Sequence, residues 1–195
     1  MTSVPDRTTG RTTDRTTGRS TRPRAVLIGI MGAGKSSVGT LLADTWGVTV
    51  RDTDRDIEAA SGTTIAEMFV DHGEAHMRAL EKEAVARALS EHDGVLALGG
   101  GAVLDPDTQR LLEGHTVVFL RVGFPEAVKR VGMGTGRPLL LGNVRAQLKR
   151  LLDERTPLYT RLATVVVDTD QKAPEDVAEE VRTAVEAAEA GEAHE

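Results

Sequence analysis

The residues best suited to chemistry lie near the start of the chain, where an apolar run leads into a glycine-rich turn. Gly29, four intervening residues and then Gly34, Lys35 and Ser36 form the pattern Gly-x-x-x-x-Gly-Lys-Ser. The glycines let the backbone curl so that several N–H groups point at one anion, and the following helix directs the positive end of its dipole there. Lys35 can reach the outer phosphates of a nucleotide, and Ser36 can ligate Mg²⁺. The pattern predicts a nucleotide-binding loop; the alternative is a chance glycine-rich turn.

A pair of carboxylates follows the second apolar run, at Asp52 and Asp54. We expect one of them to face a metal ion and the other to face the acceptor of a transferred group. Helix capping is the alternative, with Asp54 as the N-cap residue and Asp56 in the first turn. The pair alone leaves both interpretations open.

Two arginines further along the chain can hold an acid. Arg78 and Glu81 are one turn apart on the same face of a predicted long helix, and an arginine there can bind a carboxylate through two parallel hydrogen bonds. Taken alone, these two residues favour a surface ion pair. Arg155 begins the segment Arg-Thr-Pro-Leu-Tyr before the last predicted strand, at a helix end that its charge would stabilise in any case.

Two more glycine-rich segments stand where a ligand can approach. Residues 99–101 are all glycine and end the third apolar run, which suits a backbone that lies against a ligand. Glycines at alternate positions from 132 to 136 precede Arg137, which Pro138 follows. We predict a mobile lid at about residues 132–143 that delivers Arg137 to the transferring phosphoryl group. Plain surface loops are the alternative in both places.

The remaining pattern shows which elements must position these residues. Five short apolar runs alternate with helical patterns between residues 24 and 190, which predicts a parallel sheet with right-handed crossovers and both faces buried. Ligands of such sheets bind at the carboxyl ends of the strands, where the candidate residues fall. The predicted strands are 25–30, 48–51, 95–98, 116–122 and 164–168. The predicted helices are 35–46, 55–60, 64–72, 74–91, 106–113, 125–131, 144–154 and 174–190.

Composition argues against several functional classes. The chain has 195 residues and a net charge of −6, which disfavours nucleic acid as the main partner. No apolar run reaches the roughly 18 residues of a membrane span. The absence of cysteine excludes disulfides and thiolate metal sites and suits a reducing cytoplasm. His72 and His76 do not form a zinc helix, because that pattern needs glutamate directly after the first histidine, and Gly73 is predicted to break the helix between them.

Both ends of the chain differ from its centre. An eight-residue unit that begins at Asp6 is repeated from Asp14, and residues 1–24 carry a net charge of +4 against −10 for the rest. Since residues 1–23 offer almost no apolar surface, we expect them to form a disordered basic tail. The tail is either an arm for anionic surfaces or a dispensable extension, and we favour the extension. We expect residues 191–195 to be frayed.

Taken in order, these motifs resemble those of shikimate kinase, a small P-loop kinase family, over about residues 24–185. The resemblance implies a P-loop NTPase fold, a three-layer α/β/α sandwich around a five-stranded parallel sheet of order 2-3-1-4-5, with a lid. It implies Lys35, Asp54 and Arg137 as catalytic residues, and Ser36 and Asp52 as holders of Mg²⁺. The implied ATP-binding residues are Gly32, Ala33, Gly34, Lys35, Ser36, Ser37, Arg130, Arg137 and Pro174. The implied substrate-binding residues are Asp54, Arg78, Glu81, Gly99, Gly100, Gly101 and Arg155.

The same resemblance implies a reaction and its partners. The expected activity is phosphorylation of the 3-hydroxyl of shikimate by ATP, in the biosynthesis of chorismate and aromatic amino acids, by a cytoplasmic monomer that binds neither nucleic acid nor membrane. Met77 departs from the family, because an aromatic residue is common at that position. The alternatives are another small-molecule kinase such as a gluconate kinase, or a non-catalytic nucleotide-binding domain. A GTPase switch is disfavoured because the chain lacks an Asn-Lys-x-Asp sequence.

Overall fold

The apolar runs pair as a parallel sheet in the computed structural model, which describes residues 22–132 and 144–192. The strands are β1 (Ala25–Ile28), β2 (Val50–Asp52), β3 (Val95–Ala97), β4 (Val117–Arg121) and β5 (Val165–Asp168). Their order is β2-β3-β1-β4-β5, as predicted, and every pairing is parallel. β1 and β3 are buried along their whole length because neighbouring strands and helices cover them, whereas the edge strands β2 and β5 are partly exposed.

Helices pack around this sheet, as the alternating pattern predicted. Helix α1 packs against α7 and β3, α3 packs against α4, and α5 packs against α6. The bounds are α1 (Lys35–Trp46), α2 (Thr53–Ser61), α3 (Ile65–Glu91), α4 (Pro106–Leu111), α5 (Phe124–Gly132), α6 (Val144–Leu162) and α7 (Pro174–Glu192). Within the described residues, none of these helices has the length and apolar character needed to cross a bilayer.

Helix α3 confirms the predicted break at Gly73. Its backbone there has φ 79° and ψ 174°, so two helical segments meet at a kink. Such a positive φ favours glycine over any residue with a Cβ atom. Thr64 starts the first segment with a capping box, in which its side chain and that of Glu67 each accept a backbone N–H of the other. The kink directs the second segment, with Arg78, towards the end of the sheet.

Helix α6 is longer than the predicted helix 144–154, so Arg155 and Tyr159 lie inside it rather than beyond its end. Pro157 is part of the helix. A proline there removes the N–H that would bond to the carbonyl of Asp153, but Asp153 is exposed to solvent, which can satisfy that carbonyl. Burial of Tyr159 against the core outweighs the local break.

Other bounds differ by a few residues. Helix α2 begins at Thr53, two residues before the predicted start, and α7 runs to Glu192, two residues past its predicted end. Residues 1–21, 133–143 and 193–195 lie outside the described residues, and they include most of the predicted tail and lid.

Two apolar clusters hold the domain together. The larger one fills both faces of the sheet, and it includes Tyr159 against Phe119, with ring centroids 5.1 Å apart. The smaller one lies between α2 and α3 and contains Ile57, Met68 and Met77. This second cluster builds a separate wall from α2 and α3, and the cavity described next lies between that wall and the sheet.

Candidate active site

A cavity of about 890 Å³ opens where β1, β2 and β3 end. This is the edge at which ligands bind in parallel sheets, so its position agrees with the prediction. One end is formed by the glycine-rich loop and the start of α1, and the other by α2, α3 and α6. The charged and hydroxyl-bearing residues in its wall include Lys35, Ser36, Ser37, Asp52, Asp54, Glu58, Glu74, Arg78, Glu81, Arg130 and Arg155. A single space therefore joins the predicted nucleotide and acceptor residues.

The glycine-rich loop has the backbone that an anion cradle needs. Gly29, Gly32 and Gly34 all have positive φ, at 147°, 80° and 98°. A Cβ atom on Gly29 would lie only 2.7 Å from the carbonyl oxygen of Leu120. Gly34 occupies the N-cap position of α1 and has no side chain to bond the first helical amides. These amides can therefore hydrogen-bond to a phosphate.

Lys35 lies at the centre of this cradle. Its Nζ donates to the carbonyl oxygens of Gly29 at 2.8 Å and Ile30 at 3.3 Å, which holds the ammonium beside the loop. Ser36 and Ser37 are exposed at the start of α1 and line the cavity. Ala33 does not line it: its side chain is buried, and its N–H donates to Ile30 at 3.1 Å. The contact of Ala33 with ATP therefore stays a prediction.

Arg130 connects the glycine-rich loop to the loop after β5. Its guanidinium donates to the carbonyl oxygens of Gly32 at 3.3 Å and Thr169 at 2.6 Å, and it pairs with Glu126 at 2.9 Å. Pro174 begins α7 after that second loop and is not part of the cavity wall. Arg137, with the rest of the predicted lid, lies outside the described residues, so its role stays a prediction.

Asp52 and Asp54 stand at the change from strand to helix. β2 ends at Asp52, whose Oδ1 accepts the N–H of Asp54 at 3.0 Å and caps α2. The capping alternative named the wrong residue, because Asp54 occupies the first turn of α2 rather than the N-cap. Both carboxylates line the main cavity, and Asp52 and Ser36 also share a smaller adjoining cleft. The capping role of Asp52 does not exclude a metal role, since its other oxygen is not used by the cap.

Ser36 and Asp52 fit a magnesium site of the kind that nucleotide-binding loops carry. Mg²⁺ prefers oxygen ligands, keeps several waters and uses one or two carboxylates together with substrate phosphates. A hydroxyl and a carboxylate beside the anion cradle supply that set. The described residues contain no cluster of three or more His, Cys, Asp or Glu side chains that would form a cage by itself.

The environment of Asp54 changes its acidity. Burial, followed by the neighbouring charges of Asp52 and Glu81, raises the pKa of Asp54 from 3.8 to about 6, although Lys35 acts in the opposite direction. An ionised carboxylate with this pKa is a better proton acceptor than an ordinary aspartate and is still mostly ionised at neutral pH. The influence of Lys35 means that its charge lies near Asp54 in the same cavity.

This pKa predicts how stability depends on pH. The folded protein holds a proton on Asp54 more tightly than the unfolded chain does, so ionisation opposes folding as pH rises from about 4 to 6. The full penalty, on the order of 3 kcal/mol by linkage, persists above that range. We therefore expect Asp54→Asn to have a higher melting temperature than wild type at pH 8, in EDTA without nucleotide. The difference should shrink towards pH 4, and a difference that does not change with pH would contradict the assigned pKa.

The two predicted acid-binding arginines have different surroundings. Arg78 forms ion pairs with Glu81 and with Glu74, the latter at 2.9 Å, and the side chain of Glu81 is only 8% exposed. This is a half-buried pair in a cavity wall, not the surface pair that the residues alone favoured. Arg155 donates Nη1 to the carbonyl oxygen of Gly100 at 2.9 Å and forms no carboxylate ion pair within the described residues. Its positive charge is therefore the less neutralised of the two.

Gly99 and Gly101 lie close to functional side chains, a reason for glycine that the sequence did not show. A Cβ atom on Gly99 would collide with the carboxylate of Asp54, and one on Gly101 would collide with the guanidinium of Arg78. Gly100 and Gly101 line the cavity as predicted, whereas Gly99 is buried behind Asp54. The glycines thus make room for the functional side chains as well as for a ligand.

Three residues that sequence reasoning passed over support the site. Thr53 accepts the N–H of Gly99 on its hydroxyl, Tyr159 donates its hydroxyl to the carbonyl of Gly100, and Glu58 accepts the N–H of Ile65. Glu58 was detectable, because it stands four residues after Asp54 and therefore on the same face of α2. The other two depend on contacts between distant segments that no local pattern reveals.

Comparison with known proteins agrees with this arrangement. The family model described as Shikimate kinase matches residues 31–186. A shikimate kinase of Streptomyces avermitilis is 56% identical over 170 residues, which covers 87% of this chain and 99% of the relative. The solved structure of the shikimate kinase from Acinetobacter baumannii in complex with shikimate has a TM-score of 0.81 at 34% identity, covering 86% of this chain and 95% of that one.

A more distant match bears on the gluconate kinase alternative. The structure of a gluconokinase from Sinorhizobium meliloti covers 86% of this chain and 93% of that one, with a TM-score of 0.52 at 19% identity. At that identity, only the fold is shared. The family match, the 56% identity to the Streptomyces relative and the order of the strands agree. The chain belongs to the shikimate kinase family.

Proposed function

We propose that this chain transfers the γ-phosphoryl group of ATP to the 3-hydroxyl of shikimate, giving ADP and shikimate 3-phosphate. One observation carries the proposal: the anion cradle with Lys35, the carboxylate of Asp54 and the guanidinium of Arg155 all line one cavity. A donor phosphate and an acidic acceptor can therefore meet inside it.

The residues that line the cavity have separate roles in the reaction. The amides of the glycine-rich loop and Lys35 hold the phosphates and stabilise the charge that develops on the transferring group. Asp54 orients the acceptor hydroxyl and receives its proton while the oxygen bonds to the γ-phosphorus and the bond to the β–γ bridging oxygen breaks. Arg155 and Arg78 bind the carboxylate of shikimate, and Glu81 keeps Arg78 in place. Positioning of the two substrates supplies much of the acceleration.

Ser36 and Asp52 would hold Mg²⁺ in this scheme. When bound with ATP, the metal ion neutralises phosphate charge and orients the γ-phosphoryl group. Every residue assigned here comes from one chain, so a monomer is sufficient. The lack of cysteine is compatible with the reducing conditions of a cytoplasm.

The proposal is tested by measuring ADP release from ATP·Mg²⁺ with separate acceptors. Shikimate, quinate, gluconate and the nucleoside monophosphates form the panel, and phosphorus NMR of the product identifies the phosphorylated hydroxyl. We expect turnover with shikimate that exceeds every other acceptor. Faster turnover with gluconate would replace the proposed substrate, and no turnover with any acceptor would favour a nucleotide-binding domain without catalysis.

The unequal surroundings of the two arginines give a kinetic prediction. Lysine keeps the charge but loses the planar fork, so Arg155→Lys should raise the KM for shikimate by about 10-fold or more, the equivalent of one charge-assisted hydrogen bond. Arg78→Lys should raise it less, because Glu74 and Glu81 already neutralise Arg78. The KM for ATP should stay within about twofold in both.

Arg161→Lys is the matched control for this measurement. Arg161 lies on the same helix and bonds to Gln109, away from the cavity. Its kinetics should equal those of wild type. Unchanged shikimate kinetics in both cavity variants would move the acid-binding site elsewhere.

A further inference from the structure

The loop Gly99–Gly101 is held from two sides by buried hydroxyl groups. Thr53, which is 0% exposed, accepts the buried N–H of Gly99 on Oγ1 at 3.0 Å. Tyr159, which is 1% exposed, donates its hydroxyl to the carbonyl oxygen of Gly100 at 2.6 Å. A loop of three glycines has little conformational preference of its own, so these two bonds help to fix where it lies, together with the bond from Arg155 and those from the Ala102 and Leu104 amides.

The position of this loop matters because three functional side chains rest against it. Gly99 lies against Asp54, and Gly101 lies against Arg78. Arg155 donates to the carbonyl oxygen of Gly100, which also accepts the hydrogen bond from the Tyr159 hydroxyl. At the first two contacts an added Cβ atom would overlap the end of the Asp54 or Arg78 side chain, which would then have to move. A displacement of the loop would therefore disturb the proposed proton acceptor and both acid-binding groups.

Tyr159 and Arg155 are four residues apart on α6 and so lie on one face of that helix. Burial raises the pKa of Tyr159, which keeps its hydroxyl protonated as a donor. The ring is fixed by the core through Phe119. Nη1 of Arg155 bonds to the shared carbonyl, and the Arg155 side chain also hydrogen-bonds to the Tyr159 hydroxyl. The orientation of the guanidinium plane therefore depends on Tyr159, both through that carbonyl and directly.

We propose that Thr53 and Tyr159 are positioning residues for the transfer reaction, with Thr53 acting through Gly99 on Asp54 and Tyr159 acting through Gly100 on Arg155. Neither touches a substrate in this scheme. The two are expected to have separable effects: Thr53 on turnover, and Tyr159 on shikimate binding. The inference rests on the proposed function, so wild-type turnover of shikimate is the first measurement.

The role of Thr53 is tested with an isosteric substitution. Thr53→Val keeps the shape and removes the acceptor of a buried N–H, so kcat should fall by about 10-fold or more through misplacement of Asp54, while the KM for ATP stays within about twofold. Thr53→Ser restores the hydroxyl and should recover most of the turnover. Thr108→Val is the matched control, because Thr108 is equally buried, lies outside the cavity and has an unbonded hydroxyl oxygen within the described residues.

The role of Tyr159 is tested with a double-mutant cycle that includes Arg155. Tyr159→Phe should raise both the KM and the calorimetric dissociation constant for shikimate by about fivefold or more, with the KM for ATP within about twofold. If Tyr159 acts through Arg155, adding Tyr159→Phe to Arg155→Lys should cause little further loss. Circular dichroism and melting curves are measured to check that each variant is folded.

Each outcome decides the inference. The inference would be overturned if Thr53→Val and Tyr159→Phe both kept wild-type kinetics. Equal losses of affinity for shikimate and for ATP would also overturn it, because they indicate a general structural role. Fully additive losses in the Arg155 cycle would overturn the link through Gly100. If Thr53→Val does not fold, Thr53→Ser and the Tyr159 cycle decide it. A wild-type enzyme that ignores shikimate would instead refute the proposed function.

Discussion

Lys35→Ala is expected to lower kcat by about 10²–10³-fold or more while the protein remains folded. The ammonium group lies in the anion cradle, where it donates hydrogen bonds to the carbonyl oxygens of Gly29 and Ile30. Alanine is compatible with the helix that begins at this residue. The loss should therefore fall on stabilisation of the transferring phosphoryl group rather than on folding.

Lys149→Ala is the control for that measurement. Lys149 is exposed on α6 and pairs with Asp153, outside the cavity wall. Lys149→Ala removes the same positive charge as Lys35→Ala, but it should keep wild-type turnover. If Lys35→Ala retained more than about a tenth of the wild-type kcat, its assignment to the transferring phosphate would be wrong.

Asp54→Asn is expected to lower kcat by about 10²-fold or more, within the range that a general base contributes. Asparagine keeps the shape of the side chain but has neither its charge nor its ability to accept a proton. The affinity for ATP·Mg²⁺ should change little, because Ser36 and Asp52 are assigned to the metal ion. A smaller loss would indicate that Asp54 orients the hydroxyl in a loose transition state and accepts no proton there.

Asp52→Asn should have the opposite balance, with a steeper requirement for Mg²⁺ and a smaller effect at saturating metal. Asparagine is also a good N-cap residue, so α2 should keep its start and the change isolates the charge. Asp153→Asn is the control, since Asp153 is exposed on α6, pairs with Lys149 and lines neither the main cavity nor the smaller cleft. Normal shikimate turnover with a large Mg²⁺ requirement in Asp54→Asn would show that the two assignments are reversed.

The sequence by itself determined the fold class and the position of the nucleotide site. Central strands of a parallel sheet are apolar on both faces, and a phosphate cradle needs glycine, lysine and a hydroxyl at set spacings, so both leave a local pattern in the chain. The break at Gly73 was predicted on such grounds, whereas the strand order was implied by the family resemblance, and both are confirmed. The roles of the candidate site residues, Arg137 and Pro174 among them, remain predictions.

Only the tertiary structure decided how the acceptor side is built. Arg78 and Glu81 suggested a surface ion pair until folding placed them in a cavity wall, and Pro157 suggested a helix end until burial of Tyr159 carried the helix past it. The bonds from Thr53 and Tyr159 to the glycine loop join segments 46 and 59 residues apart. No local pattern encodes such contacts, because they depend on which strands and helices become neighbours. The same is true of the pKa of Asp54, which depends on burial and on charges from three separate elements.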